Sequence, residues 1–181
     1  MQDKTTDAIE QLIVKERLHE LEMAYCRGTD RRDLELLKSI YFDDALEDHG
    51  DAWRGTGHEW AEYAITANTR RFETTAHYVL NEWYKVDGMQ AQGETHRISY
   101  HREPSGLEIT AASRTFNRYE CRDGVWKIVW RSVTRDWLKE SHSDPGLTAR
   151  QEKHYAAVKS RPGADDRSYT DVPWFRRGSS A

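Results

Sequence analysis

Four side chains from three separate stretches of the chain have the chemistry to move a proton on or off a substrate: Tyr25, Asp30, His77 and Arg131. A carboxylate that accepts from one ring nitrogen of a histidine fixes its tautomer and leaves the other nitrogen as a base, the logic of a triad without its nucleophile. If Asp30 and His77 meet, the pair can hold a proton taken from carbon or oxygen, and such a base contributes about two to four orders of magnitude in rate. The carboxylate favours the imidazolium, whereas burial opposes it. Arg131 could stabilise developing negative charge on a substrate oxygen, or pair with Asp30. The Tyr25 hydroxyl could donate to a carbonyl or phenolate. Each has a plainer reading: a buried His77 satisfied by a structural Asp30, an Arg131 reaching solvent from a strand edge, and Tyr25 as one rung of a helix's apolar stripe.

A second tier could line a ligand cavity. Arg27 lies three residues before Asp30 and either faces a substrate or makes an intrahelical ion pair. His49 follows a short strand and either serves as a second acid or base at a cavity mouth or stays in solvent. Trp53, Trp60 and Trp83 are candidate aromatic walls. Strict alternation places Asn81 and Trp83 on one strand face with His77 and Val79. It likewise groups Arg97 with Ser99, and Arg131 with Val125, Lys127, Val129 and Val133. Eight histidines raise the question of a metal, but His96 and His101 fall on opposite strand faces and no zinc-protease spacing occurs. Cys26 and Cys121 form no close pair, and no glycine-rich phosphate loop is present. No metal site is expected.

The elements that must position these residues follow from periodicity. From Thr6 to Thr29, apolar Ile9, Leu12, Ile13, Leu18, Leu21 and Tyr25 recur at threes and fours, predicting a helix that stops near Gly28. A short helix over 33–42 with Asp33 as cap, a turn into a short strand over 43–48, and a third helix over 57–71 come next. After Glu73 the period becomes two. Strands are expected over 76–86, 89–102, 107–121 and 125–137, joined by turns at Asp87-Gly88, Glu103–Gly106 and Arg122–Gly124. Helices ahead of an antiparallel meander make an α+β domain over residues 1–140, with a sheet that curls around the first helix. Residues 141–181 form a polar C-terminal extension. It carries one further helical stretch over 147–159, and Trp174 and Phe175 either dock on the body or a neighbouring subunit or stay disordered.

Composition narrows the partners. The chain has 181 residues, enough for one domain with a real core, and a formal net charge of −4 with no basic stripe, which gives no reason to expect nucleic acid or an anionic membrane. Its mean hydropathy of −0.93 is low, yet seven Trp, nine Tyr and four Phe argue against a disordered chain. No apolar run approaches the roughly 18 residues of a membrane helix. The opening Met1–Asp7 lacks the apolar stretch of a secretion signal, so cytoplasm is the expectation.

In this order and spacing the motifs resemble the SnoaL-like branch of the NTF2-like superfamily. They are Tyr25 with Asp30–Asp33, Ile40–Ala45, Thr75–Asn81, and Asp123–Ile128 with Arg131, and the likeness covers roughly residues 6–138. It implies a cone of curved, mostly antiparallel sheet around three N-terminal helices. The branch includes scytalone-type dehydratases, lindane dehydrochlorinases, lyases that deformylate lignin-derived diarylpropanes, and non-catalytic β subunits of ring-hydroxylating dioxygenases. In its enzymes the resemblance implies an Asp–His pair without metal or organic cofactor, and Asp30 and His77 fall on those positions. Arg131 falls on an arginine the dehydrochlorinases use, whereas Tyr25 replaces their lysine. Tyr25–Gly28 and Asp48–Gly50 are closer to the aromatic-catabolism members. The implied activity is a cofactor-independent lyase acting on a small aromatic compound. Diarylpropane deformylation to a stilbene, dehydration or dehydrohalogenation are its named forms, and an assembly module is the reading from another class. A sheet with one face uncovered implies a homotrimer or homodimer.

Overall fold

The computed structural model describes residues 4–144, 149–150, 153–154 and 161–179. Helix α1 (Lys4–Arg31) runs past both expected ends. Its buried residues, among them Leu18, Leu21, Glu22, Tyr25, Cys26 and Asp30, all lie in its second half, while Ile9, Leu12 and Ile13 are exposed. The apolar stripe read from the sequence therefore continues beyond the part of the helix that the body covers.

Gly28 does not stop α1. A Cβ there would lie 3.0 Å from the Leu37 Cβ, so glycine is what lets the next helix approach this closely. The stop comes at Arg32, in the left-handed region with φ 53°. Asp33 N–H donates to the Gly28 carbonyl at 2.8 Å and Arg32 N–H to that of Thr29 at 3.3 Å, the two bonds of a Schellman ending. Asp33 then caps α2 (Leu34–Ser39), its side chain accepting from Leu36 N–H. This corner fixes the direction in which Asp30 leaves the helix.

Tyr41 and Phe42 belong not to α2 but to strand β1 (Tyr41–Asp48). Strand β2 (Arg54–Thr56) leads into α3 (Gly57–Arg71), which opens on a capping box between Thr56 and Glu59. The meander follows as β3 (Thr74–Asp87), β4 (Gln90–Arg102), β5 (Leu107–Arg122) and β6 (Val125–His142). Asp123 and Gly124 both have positive φ, the turn whose twist suits a tight hairpin. The six strands are ordered β2-β1-β6-β5-β4-β3, with β1 parallel to β6 and the other neighbours antiparallel. The architecture is the α+β cone: α1, α2 and α3 pack within a curved sheet. Its core joins Leu18, Leu21 and Tyr25 of α1 to Leu37, Tyr41, Tyr84, Tyr119 and Ile128.

Two bulges overturn the simple alternation. In β3 the register shifts between Val79 and Glu82. Residues after the shift change faces: Glu82 and Tyr84 turn inward, and Asn81 and Trp83 end up exposed. The inward Glu82 meets His19 at 2.6 Å and accepts from the Tyr84 hydroxyl at 2.8 Å. In β6, Arg118 pairs with Trp130 but Tyr119 pairs with Ile128, leaving Val129 as the extra residue. Arg131 thus shares the inner face with Ile128, not with Val125, Lys127 and Val129.

The expected 147–159 helix lies mostly outside the described residues; 149–150 and 153–154 are helical. Further on, a short helix α4 (Ser168–Asp171) and the turns after it lie against the α1–α2 corner. Arg31 pairs with Asp166, the Tyr169 hydroxyl and Gly178 N–H donate to Asp33, and Arg177 donates to the carbonyls of Arg31 and Arg32. Trp174 is exposed. No helix among the described residues is long and apolar enough to cross a membrane.

Candidate active site

Asp30 sits in the last turn of α1 and His77 near the start of β3. The Asp30 Oδ1 lies 2.6 Å from His77 Nδ1, and Oδ2 accepts the His77 backbone N–H at 2.8 Å. With one carboxylate engaged twice by one residue, ring and backbone are oriented together. Nδ1 carries the hydrogen toward Asp30, and Nε2 is the nitrogen left to act on something else. Both side chains remain about one-tenth exposed, 11% for Asp30 and 12% for His77, so the pair opens on solvent.

Rings surround the pair. His77 lies edge-on to Tyr25 at 6.5 Å and to His101 at 5.4 Å between centroids, and Phe72 covers His101 at 4.7 Å. Burial, helped by the neighbouring His77, pushes His101 down to about 4, so it is neutral at neutral pH. Burial, with Asp30 nearby, pushes the Cys26 thiol up to about 12, which removes it as a nucleophile. Burial and then Glu47 also raise Tyr25, which stays a phenol. Its oxygen accepts from Trp60 Nε1 at 3.3 Å, leaving its own hydrogen to give.

Beneath Tyr25 lies a fully buried ion cluster. Glu22 accepts from Arg97, from Asn117 and Tyr119 at 2.8 Å each, and from Arg131 at 2.8 Å. Arg131 also donates to Asn117 Oδ1 at 2.7 Å and to the Tyr41 hydroxyl at 3.4 Å. The guanidinium carbons of Arg97 and Arg131 stand 4.3 and 4.2 Å from the Tyr25 ring centre. Burial opposes charge on Arg131, yet Tyr41, Glu47 and the other acidic groups outweigh it and raise its pKa. Burial and then the like charge of Arg131 push Arg97 the other way. Its Nε has no acceptor among the described residues.

The cluster continues to a second histidine. The Tyr41 hydroxyl donates to Glu47 Oε2 at 2.9 Å, and Glu47 Oε1 lies 2.9 Å from His49 Nε2. His49 stacks on Trp60 at 3.7 Å between centroids, and Trp53 packs on Trp60 at 5.2 Å. Cavities of about 600 and 430 Å³ lie away from both histidines, against the sheet around Trp130 and Arg118; a third, about 420 Å³, is lined by Arg27, Trp174 and Phe175.

The structure thus brings together Tyr25, Asp30, His77, His49, Trp60 and Arg97, with Trp53 behind Trp60. Arg131 is inside too, but its carboxylate partner is Glu22, not Asp30. Three expected residues are elsewhere. Asn81 and Trp83 are turned out by the β3 bulge. Arg27 faces the C-terminal segment, donating to Ser168 and lying over the Tyr169 and Phe175 rings, because its helix face points away from the sheet. Sequence reasoning missed Glu22, Tyr41, Glu47 and Asn117, and did not single out His101. For Glu22 a signal existed: it falls between Leu18 and Tyr25 at helical spacing, an acid on the apolar stripe. Among the described residues, no group of three or more His, Cys, Asp or Glu could hold a metal ion.

Solved structures of the same shape are found among hexachlorocyclohexane dehydrochlorinases. That of LinA type 3 from Novosphingobium barchaimii is 23% identical over 76% of this chain and 99% of its own, with a TM-score of 0.69. A candidate scytalone dehydratase from Novosphingobium aromaticivorans is 17% identical over 74% and 91%, with a TM-score of 0.66. A protein of unknown function from Mycobacterium tuberculosis is 26% identical over 71% and 75%, with a TM-score of 0.62. No curated protein matches the sequence significantly. Residues 10–132, which hold every member of the two histidine pairs and the ion cluster, match the SnoaL-like domain, and the chain belongs to that family.

Proposed function

We propose that the protein is a cofactor-independent lyase that works by general acid–base chemistry on a small aromatic compound. The observation that carries this is the contact of Asp30 with both the ring and the backbone of His77, at a site still open to solvent. His77 Nε2 removes a proton, and Asp30 orients the ring and stabilises the imidazolium that forms. Tyr25, whose oxygen is held by Trp60, donates its hydrogen to oxygen on the substrate and so stabilises negative charge there. Trp60 and Trp53 give a flat aromatic wall. Kinship with dehydrochlorinase-shaped and dehydratase-shaped proteins agrees with an elimination. Its finer forms are deformylation of a lignin-derived diarylpropane to a stilbene, and the dehydration or dehydrohalogenation of a small cyclic or aromatic compound.

The test is a panel of diarylpropanes, hydroxylated aromatics and chlorinated cyclic compounds, incubated with pure protein and with Asp30→Asn and His77→Ala. Formaldehyde, water or chloride in the product identifies which bond breaks. Loss of at least a hundredfold in both variants, with folding intact by circular dichroism, supports the assignment. Wild-type turnover in either variant sinks it. We further read residues 1–140 as the functional domain, 141–181 as an extension whose residues 161–179 seat on its α1–α2 corner, and the protein as a homotrimer or homodimer. Light scattering at micromolar concentration tests the last point, and a monomer would refute it.

A further inference from the structure

The lyase reading uses one histidine, but the interior holds a second one built in the same way. His49 is held through Nε2 by Glu47, whose side chain is fully buried and also accepts from Tyr41. Stacking on Trp60 fixes the plane of its ring. Trp60 in turn donates to the hydroxyl of Tyr25, whose ring faces His77 on its other side. Tyr25 is therefore the common neighbour of two histidine–carboxylate pairs, one hung on α1 and β3 and the other, reached through Trp60 of α3, on the end of β1. A surface histidine needs none of this. With Nε2 held by Glu47 and the ring plane held by Trp60, Nδ1 is the nitrogen left to act on a substrate.

We propose that Glu47–His49 is the acid to the Asp30–His77 base, and that the bond broken is one from carbon to oxygen whose departure needs a proton. The proposal rests on the lyase reading and adds to it the nature of the leaving group. His77 Nε2 takes a proton from the carbon next to a carbonyl, and that C–H electron pair becomes the new C=C bond. The C–O bond breaks, its oxygen keeping the bonding pair and taking a proton from His49 Nδ1, the nitrogen Glu47 does not hold. Water leaves, and a proton returned from His77 to His49 through solvent closes the cycle. No oxidant, reductant or co-reactant is consumed. A halide would leave without a proton, so the second pair would be idle in a dehydrohalogenase.

Two probes separate these roles: an aryl β-hydroxyketone, and the same ketone carrying a 4-nitrophenoxy group in place of the hydroxyl. Both give the same conjugated enone, followed by its absorbance. His49→Gln is expected to slow the hydroxyketone at least tenfold more than the nitrophenoxy ketone, whose leaving group needs no acid. Glu47→Gln should show the same preference to a smaller extent. His77→Ala should slow both alike. Residual turnover of the nitrophenoxy ketone doubles as proof that each variant is folded. Equal losses on the two probes in His49→Gln, or no loss on either, overturn the acid role while leaving the His77 base standing. Wild-type elimination of the nitrophenoxy ketone alone does the same. Wild-type inactivity on both overturns the carbon–oxygen assignment and leaves the lyase reading to its own panel, whereas full activity in His77→Ala removes the lyase reading itself.

Discussion

Two carboxylates on the second half of α1, Glu22 and Asp30, meet different company. Glu22 is sealed from solvent and accepts from four residues on three strands, two of them arginines. Asp30 keeps a little exposure and, among the described residues, accepts only from His77 in ring and backbone, with the ring's other nitrogen left to act. The chemical group is the same, so the difference lies in what each partner can do. Arginine holds its proton under all working conditions, and a carboxylate saturated by arginines is a structural fixture. Histidine changes charge near neutral pH, and a carboxylate that grips only one face of it leaves a site for exchange. The inner carboxylate fixes a field, and the outer one serves a group that moves protons.

The comparison can be broken in order of effect. Glu22→Ala leaves two buried guanidinium groups uncompensated and should cost about 3–5 kcal/mol of stability by urea denaturation. A loss under about 1 kcal/mol would mean that the cluster holds nothing. His77→Ala should instead leave the unfolding midpoint close to wild type and cut turnover by about two to four orders of magnitude. The reverse pattern, a collapse in stability with activity per folded molecule preserved, would swap the roles of the two carboxylates. His101 sharpens the contrast through pH. Its folded pKa of about 4 lies below the ordinary 6.5, so unfolded chain takes up a proton that folded chain refuses. Stability should therefore fall as pH drops from about 6.5 to about 4, by at most about 3 kcal/mol. His101→Gln should flatten that slope, and an unchanged slope in the variant would assign it to other groups. Smallest is Arg177→Ala, which removes donors to the end of α1 at an exposed site; a change within about 1 kcal/mol is expected, and a larger loss would make the C-terminal segment integral to the fold.

Much of this architecture is written in local pattern. The helices, the meander and its turns follow from periods of 3.6 and 2 and from Asp-Gly pairs, and the juxtaposition of Asp30 with His77 follows from family resemblance. Asn81 and Trp83 were misplaced because a bulge is one residue of surplus length that leaves no mark on alternation when both neighbouring faces carry aromatics. The same blindness set Arg131 beside Val129 when Val129 is itself the extra residue. Glu22 was passed over for another reason. Charged residues sit at a surface unless paired, and their partners lie 75 or more residues away for Glu22 to Arg97 and its neighbours on β5 and β6. Only a folded sheet brings those partners into view.

The seat of the C-terminal segment has a consequence for the order of assembly. Arg177 reaches back across 146 residues to the carbonyl of Arg31. It can close that loop only once the α1–α2 corner exists, and closure over so long a span is slow compared with hairpins and helix turns. The segment should be the last part of the chain to settle and the first to come loose. A protease or an exchanging solvent deuteron should therefore find residues 161–179 well before it finds the sheet.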